Sequence, residues 1–363
     1  MIAVELCILG VAALMVASRS ESFYFMALAV LAWLGFAMVV RSSFDAKCIR
    51  DAFIPIIFFL LGRHYGSAQS GDRLVVIALL IVTVGALFEW CFLDTYLKYF
   101  DVLGYYQARG TVDASLGSDG PGLFISGQRF EGRTLLPFLG EHRVSSVFLE
   151  PVSLGNFGAI VFAWVLLRDR GRPLALVWKV ALIAVVLILG DARFGLYLCA
   201  IIALVYVMAP LLRPTLIFVI PFLAVIALLV YAGQMVGVPW DNTTTGRFLL
   251  SGQLLSTLNL TQALGLQTTL VDFDDSGYSY VLSQFGLFGA AMLWVFYVYG
   301  CPAQNIESWR FKLFVCMYVV LILSISTSSM TIKTGALLWF LAGCIAQGLS
   351  PAPGSMLNDR APR

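Results

Sequence analysis

The chain has 363 residues, of which 60% are hydrophobic and 12% charged, and its mean hydropathy is +0.88. Soluble domains carry about 25% charged residues, so this composition excludes an ordinary soluble domain and indicates an integral membrane protein. The net charge of +2, without a basic arm, gives no support for nucleic-acid binding. Seven scattered cysteines without CxxC spacing and only two histidines argue against disulfides and a metal site.

Apolar runs follow one another along the whole chain, and a transmembrane helix needs roughly 20 mostly apolar residues. Ten runs are candidate spans: Ile2–Ala17, Phe23–Val40, Leu74–Leu93, Val152–Leu167, Leu174–Leu189, Phe194–Leu212, Thr215–Val236, Ser279–Tyr299, Phe311–Ser326 and Gly335–Leu349. A shorter run, Ala52–Leu61, contains Pro55 and is either an eleventh span or an interfacial or re-entrant piece. The sequence therefore predicts an all-α polytopic membrane protein of about 10–11 helices, formed by residues 1–363 as one domain.

Lysine and arginine in short loops predict the orientation, because such loops favour the cytoplasm. Arg168, Arg170 and Arg172 cluster in one tight loop. If that loop is cytoplasmic, the long segments 94–150 and 239–278 lie on the outer side. Both termini are then cytoplasmic, and Arg41, Lys47 and Arg50 are too, provided that Ala52–Leu61 does not cross.

Arg143 opens the first unusual stretch, which runs through Glu150-Pro151 into an apolar helix. Proline in the first helical turn, with an acid just before it, is also typical of an ordinary helix start. The turn Gly190-Asp191-Ala192-Arg193 then places Arg193 at a span boundary, where charges are often functional. The structural alternative is a snorkelling arginine paired with Asp191.

The segment 239–278 carries the second set of polar residues. Arg247 follows a run of threonines, and an acidic cluster of Asp272, Asp274 and Asp275 precedes Tyr278. A loop arginine is usually just solvated, and an acidic turn can be a helix cap or a loose cation site. Glu89 lies inside an apolar run and is a weaker candidate for a functional residue.

Arginines at the outer membrane surface suit a diphosphate, because guanidinium stays charged and binds phosphate oxygens bidentately. Arg143, Arg193 and Arg247 are the three candidates for this role. A carboxylate nearby can take a proton from an attacking hydroxyl. Asp275 is the first choice for base or acceptor anchor, and Glu150 is a further substrate-contacting candidate.

In this order the residues resemble the Wzy-type bacterial polysaccharide polymerases, relatives of the O-antigen ligases. The resemblance covers Arg143 to Gly289 and includes an Arg-x-x-Ser-x-Phe-x-Glu-Pro stretch and a turn arginine, Arg193. It continues with Arg247 ahead of Leu-Gly-Leu, and with Asp275-Ser276-Gly277-Tyr278 before a span containing Gly-Leu-x-Gly. The ligase branch has a histidine where this chain has Asp275, which favours a polymerase.

The resemblance implies a GT-C-type glycosyltransferase in the bacterial inner membrane that acts on undecaprenyl-diphosphate-linked oligosaccharides at the periplasmic face. Arg193 and Arg247 match the family's diphosphate-binding arginines, with Arg143, Glu150 and Tyr278 as further substrate-binding residues. We expect an inverting transfer without metal or cofactor, with membrane lipid and a flippase and chain-length regulator of the same pathway as partners. The alternatives are a ligase that moves finished chains to another acceptor and a transporter of the same lipid-linked sugars.

Overall fold

A computed structural model describes the chain over the ranges 2–108, 127–128, 132–241, 243–269, 271, 273, 276–301 and 303–346. Within these ranges the secondary structure is helical and contains no β-strand, only one isolated bridge between Gln128 and His142. The described α-helices, numbered in chain order, are α1 (Ile2–Ala17), α2 (Glu21–Val40), α3 (Ala46–Tyr65), α4 (Ala68–Cys91), α5 (Leu93–Tyr99), α6 (Val102–Ala108), α7 (Pro151–Arg168), α8 (Pro173–Leu189), α9 (Arg193–Met208), α10 (Pro214–Gln234), α11 (Thr244–Ser256), α12 (Leu260–Ala263), α13 (Gly277–Val295), α14 (Ile306–Leu323) and α15 (Ile332–Ala346).

Six of the described helices are long and apolar enough to cross a membrane: α2, α4, α7, α9 with the turn that extends it to Leu211, α10, and α13 extended to Tyr299. Three shorter apolar helices correspond to α1, α8 and α15. Each of the ten apolar runs predicted as spans overlaps at least one described helix. The prediction of an all-helical, polytopic membrane protein is confirmed at this level.

Contacts divide the chain into two compact units. The inserted unit is Asp72–Leu204, and the flanking unit is Met1–Gly71 together with Val205–Arg363. The first contains nearly all of α4, helices α5 to α8 and most of α9. The second contains α1 to α3 and α10 to α15.

Polar contacts fix the two ends of α4 in the inserted unit. Near its start, Asp72 accepts hydrogen bonds from Trp164 Nε1 at 2.9 Å and from the Arg168 guanidinium at 3.0 Å, both on α7. Near its end, Glu89 binds the backbone of Ser145 and Ser146, just before α7 begins. The two helices therefore run antiparallel, and the residues around Glu89 and Ser145 share one end of the unit.

Helix α3 is the central element of the flanking unit and packs along α15. Asp45 caps its first turn by accepting from the Lys47 and Cys48 backbone N–H groups at 2.8 and 3.2 Å. The run Ala52–Leu61 forms the middle of this 20-residue helix, which rises about 30 Å and is therefore long enough to span a bilayer.

The two ends of α3 contact opposite ends of the flanking unit. Asp51 accepts a hydrogen bond of 2.8 Å from Tyr280 Oη, in the first turn of α13. At the other end, Gly62 packs on the backbone of α15 at Phe340, and Tyr65 Oη donates to Met15 O in α1 at 2.9 Å. A short interfacial piece is therefore not what the structure contains at 52–61.

This course of α3 corrects the expected placement of the cations that precede it. The distribution of cations predicts that Arg41, Lys47 and Arg50 lie on the opposite side of the membrane from segment 239–278, which precedes α13. In the structure Arg41 Nη1 donates to Gln284 Oε1 at 3.1 Å, and the Lys47 ammonium lies 5.0 Å from the Tyr280 ring centroid. Counting cations failed here because these side chains are held by internal partners, so their position reflects packing rather than a cytoplasmic loop.

Candidate functional site

Residues 142–150, which we call the strap, lie at one end of the inserted unit and are anchored by Glu89. This carboxylate is completely buried. It accepts hydrogen bonds from the backbone N–H groups of Ser145 at 3.0 Å and Ser146 at 2.5 Å, and from Ser145 Oγ at 3.2 Å. His142 Nε2 stands 3.0 Å from its Oε1. One buried acid therefore satisfies several polar groups of a segment more than fifty positions away.

The strap has a strained backbone that neighbouring side chains hold in place. Ser146 and Leu149 have φ values of +52° and +59°, which side-chain-bearing residues rarely adopt. Tyr96 Oη donates to Ser146 O at 2.7 Å, and Tyr106 Oη donates to Leu149 O at 3.1 Å. Such conformations typically cost about 1–3 kcal/mol each and persist where surrounding contacts enforce them.

The strap in turn holds the turn between α8 and α9. Arg143 is buried, and its Nε donates to Gly190 O at 3.2 Å. The Val144 N–H donates to Leu189 O at 3.1 Å. Arg133, which the sequence did not single out, is also buried and bridges His142 O at 2.6 Å and Leu189 O at 2.9 Å. Both guanidinium groups thus bind backbone carbonyls and fix the geometry of this turn.

His142 is neutral in this setting. Burial lowers the pKa of its imidazole to about 4, and repulsion from the nearby Arg133 guanidinium acts in the same direction. A neutral ring with its proton on Nε2 donates to the Glu89 carboxylate. Burial also lowers the pKa of Arg133, and the neighbouring Asp191 opposes that shift.

Arg193 is the first residue of α9 and follows directly on this rigid turn. It is half-buried, and in the part of the chain that the structure describes its guanidinium makes no hydrogen bond or ion pair. If Arg193 were a snorkelling arginine at the membrane surface, Asp191 would be its expected partner. The Asp191 carboxylate instead accepts a hydrogen bond from the Leu135 N–H at 2.8 Å. Arg193 therefore differs from Arg133 and Arg143, whose guanidinium groups donate hydrogen bonds to backbone carbonyls.

Glu150 is the N-cap residue of α7, and its Oε2 accepts a hydrogen bond of 2.7 Å from Ser153 Oγ. One turn further into α7, Asn156 is buried and its carboxamide has no hydrogen-bond partner among the described residues. A buried amide without partners is unusual in proteins. Glu150-Pro151 is therefore an ordinary helix start, as the alternative to a functional role predicts. The Glu150 carboxylate and the unpartnered Asn156 amide lie within the same two turns.

The flanking unit carries the second set of predicted residues. Arg247 lies in the first turn of α11 and is half-buried. Thr243 caps this helix, and its side chain and backbone N–H donate to the exposed Asp241, which lowers the pKa of that carboxyl. Asp272, Asp274 and Asp275 lie outside the described residues, so their predicted roles stay predictions. Tyr278, in the first turn of α13, is buried and its hydroxyl has no hydrogen-bond partner in the described part.

Helix α13 is broken at Gly286, where φ is +69° and ψ is 164°. The break meets Gly265, itself at φ +73°, so closely that a Cβ on Gly286 would stand 2.3 Å from Leu264 O. Trp33 Nε1 donates to Phe285 O at 2.6 Å, and Arg41 Nη1 approaches Gln284 O at 3.3 Å. These donors satisfy carbonyls that a continuous helix would have used internally, which makes a break tolerable at membrane depth.

The predicted residues therefore divide between the units. Arg143, Glu150 and Arg193 belong to the inserted unit, where Arg143 directly contacts the turn that carries Arg193. Arg247 and Tyr278 belong to the flanking unit. Among the described residues, no group of three or more His, Cys, Asp or Glu side chains is arranged to hold a metal ion.

Glu89 has a larger structural role than its place in the sequence predicts, and Arg133 and Asn156 are not among the predicted residues. A charge inside an apolar run was the available signal for Glu89. No local pattern predicts that Arg133 binds the carbonyl of a residue 56 positions later.

Comparison with protein-family models, with curated proteins and with solved structures found no match for this chain.

Proposed function

We propose that this protein is a polysaccharide polymerase, an inverting glycosyltransferase that joins undecaprenyl-diphosphate-linked oligosaccharide repeats at the periplasmic face of the bacterial inner membrane. The observation that carries the proposal is Arg193, a half-buried guanidinium without a described partner on the first residue of a membrane-type helix. The N-terminal end of a helix and a guanidinium both favour an anion, and the diphosphate of a lipid-linked sugar is an anion held at membrane level.

In the proposed reaction, a sugar hydroxyl of one repeat attacks the anomeric carbon of the growing chain. The carbon–oxygen bond to the diphosphate breaks, and the configuration at that carbon inverts. Arg193 and Arg247 stabilise the negative charge of the leaving undecaprenyl diphosphate. The hydroxyl proton passes to a carboxylate, for which Asp275 is the first choice and Glu150 the second.

Buried groups of the inserted unit support this role for Arg193. Preorganised donors stabilise a leaving group best when they need no rearrangement during the reaction. Arg133, Arg143 and Glu89 fix the strap and the turn before α9 through hydrogen bonds to the protein backbone. Arg143 thus supports the diphosphate site through the backbone rather than by contact.

The proposal also extends the topology. Adding α3 and α14 to the nine long or shorter apolar helices gives eleven crossings in a GT-C-like membrane protein. With the loop of Arg168 to Arg172 in the cytoplasm, segments 94–150 and 239–278 are then periplasmic, the C-terminus is cytoplasmic, and the N-terminus is periplasmic. An odd number of crossings requires the two termini to lie on opposite sides.

The test is purified protein in lipid nanodiscs, supplied only with an undecaprenyl-diphosphate-linked repeat. A polymerase produces a ladder of lengthened chains without another protein. A ligase leaves the repeats unjoined until an acceptor such as a lipid A core is added. A transporter gives no product in either case, but moves the labelled lipid across a sealed vesicle. Absence of a ladder with protein that binds the substrate contradicts the proposal.

A further inference from the structure

Arg41, in the flanking unit, directly follows α2 and is buried against α13. Its Nη1 donates to Gln284 Oε1 at 3.1 Å and is shared with the Ser283 and Gln284 carbonyl oxygens at 3.4 and 3.3 Å. Gln284 is seven residues from the start of α13, which is about 10 Å along that helix. A charge held that far along a membrane-type helix is costly, and such charges mark functional sites.

The contact with α13 uses only one of the three guanidinium nitrogens of Arg41. Nη1 meets the carbonyls just before the break at Gly286, where the end of a helical segment favours a cation. Nε and Nη2 are buried and have no hydrogen-bond partner among the described residues. The nearby Cys48 thiol is a weak acceptor, and it donates to Gln284 O at 3.5 Å. The edge formed by Nε and Nη2, which can bind two oxygens of one anion, is therefore unused.

The charge of Arg41 also has no counter-ion in the described part of the chain. The acids on the adjoining helices have other partners. Asp45 caps α3, and Asp51 pairs with Arg50 at 2.8 Å. Glu5 on α1 pairs with the same Arg50 at 3.1 Å. A buried charge without a partner is strongly unfavourable, so an anion that joins Arg41 gains both the free edge and the uncompensated charge.

Shape and charge select a carboxylate for this edge. A carboxylate is planar, and its two oxygens match the two N–H groups of a guanidinium edge. Its single negative charge balances the single positive charge of Arg41. A phosphate carries more negative charge, which the carbonyl oxygens of Ser283 and Gln284 would oppose. Ser42 and Phe44, which follow Arg41, are exposed, so the site lies beside the surface of the unit.

We propose that Arg41 binds the carboxylate of an acidic sugar, so that the repeat joined by this protein contains a uronic acid or a related carboxylated sugar. The assignment rests on the proposed function for the saccharide, whereas the carboxylate follows from the unused guanidinium edge. Gln284 is a positioning residue, because its Oε1 holds Nη1 and so turns the opposite edge of the guanidinium away from α13. In the proposed topology the turn after Arg41 is periplasmic, on the same side as segment 239–278.

The experiment measures the binding of free glucuronate to the purified full-length protein in nanodiscs by saturation-transfer NMR. Glucose, acetate and inorganic phosphate are the comparison ligands, and we expect glucuronate to bind about tenfold more tightly than each of them. Arg41→Gln should weaken glucuronate binding about tenfold. Arg41→Lys should restore only part of the affinity, because an ammonium cannot bind two oxygens as a fork. Arg213→Gln, at an exposed arginine of the same unit, is the control and should leave binding unchanged.

Gln284→Glu separates ligand binding from a purely structural role of Arg41. The new carboxylate supplies an internal counter-ion at Nη1, so the affinity for glucuronate should fall about tenfold while the thermal midpoint stays equal or rises. A purely structural Arg41 predicts a lower thermal midpoint in Arg41→Gln and the same glucuronate binding in every variant.

Acetate or phosphate binding as tightly as glucuronate overturns the acidic-sugar assignment, and so does unchanged glucuronate binding in Arg41→Gln and Gln284→Glu. If Arg41→Gln does not fold, Gln284→Glu and the four ligands on the unmodified protein decide the question. The measurement involves no transfer reaction. Arg41-dependent glucuronate binding to a protein that makes no polymer therefore supports this site and contradicts the polymerase. Polymer formation by a protein that binds glucuronate no more tightly than glucose contradicts only this site.

Discussion

Different kinds of residue shape the two units. In the inserted unit, buried charges bind the protein's own backbone: Glu89 holds the strap, and Arg133 and Arg143 hold the turn before α9. In the flanking unit, two closely packed glycines, Gly265 and Gly286, shape a broken helix beside an apolar cavity of about 280 Å³. Burial alone therefore does not mark a charged residue that binds a ligand. What separates Arg193 from its neighbours is that the described protein leaves its donors unused.

The largest expected effect is on Arg193, and it concerns turnover rather than folding. Arg193→Ala removes a donor to the leaving diphosphate, so the rate should fall on the order of 10²–10³-fold. Arg193→Lys should restore only part of it, because an ammonium cannot fork onto two oxygens. The measurement is the rate of chain elongation in nanodiscs, compared between variants whose thermal unfolding midpoints are equal. Arg172→Ala, an exposed arginine of the opposite loop, serves as control, and an equal loss there would erase the distinction.

Glu89 should show the reverse pattern, with stability lost first. Glu89→Ala leaves the Ser145 and Ser146 N–H groups buried without an acceptor, at a cost of about 3 kcal/mol in the free energy of unfolding. Glu89→Gln keeps one acceptor oxygen and should lose less. Thermal or denaturant unfolding in detergent measures both. The exposed Glu141→Ala is the control, expected within about 0.5 kcal/mol, and a Glu89→Ala protein as stable as that control would remove Glu89 as an anchor.

A substitution at Gly286 tests whether the close contact with Leu264 and Gly265 enforces the break in α13. Gly286→Ala places a methyl group 2.3 Å from Leu264 O at a φ of +69°, which should cost roughly 1–3 kcal/mol. Gly233→Ala on α10 meets nothing within 4 Å and should be neutral or stabilising by up to about 1 kcal/mol. Thermal denaturation of both variants in one detergent gives the difference. Equal midpoints would mean that the break at Gly286 is not enforced by this contact.

His142 gives an effect that is absent at neutral pH and appears only as the pH falls below about 6.5. Its pKa of about 4 in the folded protein lies below the ordinary value of 6.5, so between these values only the unfolded chain takes up the proton. The free energy of unfolding should therefore decrease as the pH falls from 6.5 to 4, by at most about 1.4 kcal/mol per pH unit. His142→Gln should remove this contribution. Identical pH profiles for the two proteins would show that the imidazole does not resist protonation.

Hydrophobic runs made the helices predictable, because a span must be apolar over its whole length. Helix α3 was ambiguous for the same reason: Lys47, Arg50 and Asp51 in its first turns and Pro55 interrupt the apolar pattern. Its partners compensate, with Arg50 held by Glu5 and Asp51, and Asp51 also by Tyr280. Glu5 and Tyr280 are distant in sequence from α3, so no local pattern reveals them.

The sequence predicts which residue types occur at the candidate site, but it does not predict what each of those residues binds. Arg143 and Arg193 stand out equally as cations at a membrane boundary, yet one binds a backbone carbonyl and the other binds nothing in the described part. The break at Gly286 also has no clear sequence signal, since the apolar pattern of α13 continues through it. Both distinctions depend on contacts between segments that only the folded chain brings together.

The most direct test of the central claim is equilibrium binding of undecaprenyl diphosphate to purified protein, without any transfer reaction. A charge-assisted hydrogen bond contributes about 1.5–3 kcal/mol, so Arg193→Ala should raise the Kd roughly 10- to 100-fold with an unchanged thermal midpoint. Arg172→Ala should bind like the unmodified protein. An Arg193→Ala protein that binds undecaprenyl diphosphate as tightly as the unmodified one would contradict the claim that this guanidinium is reserved for the substrate.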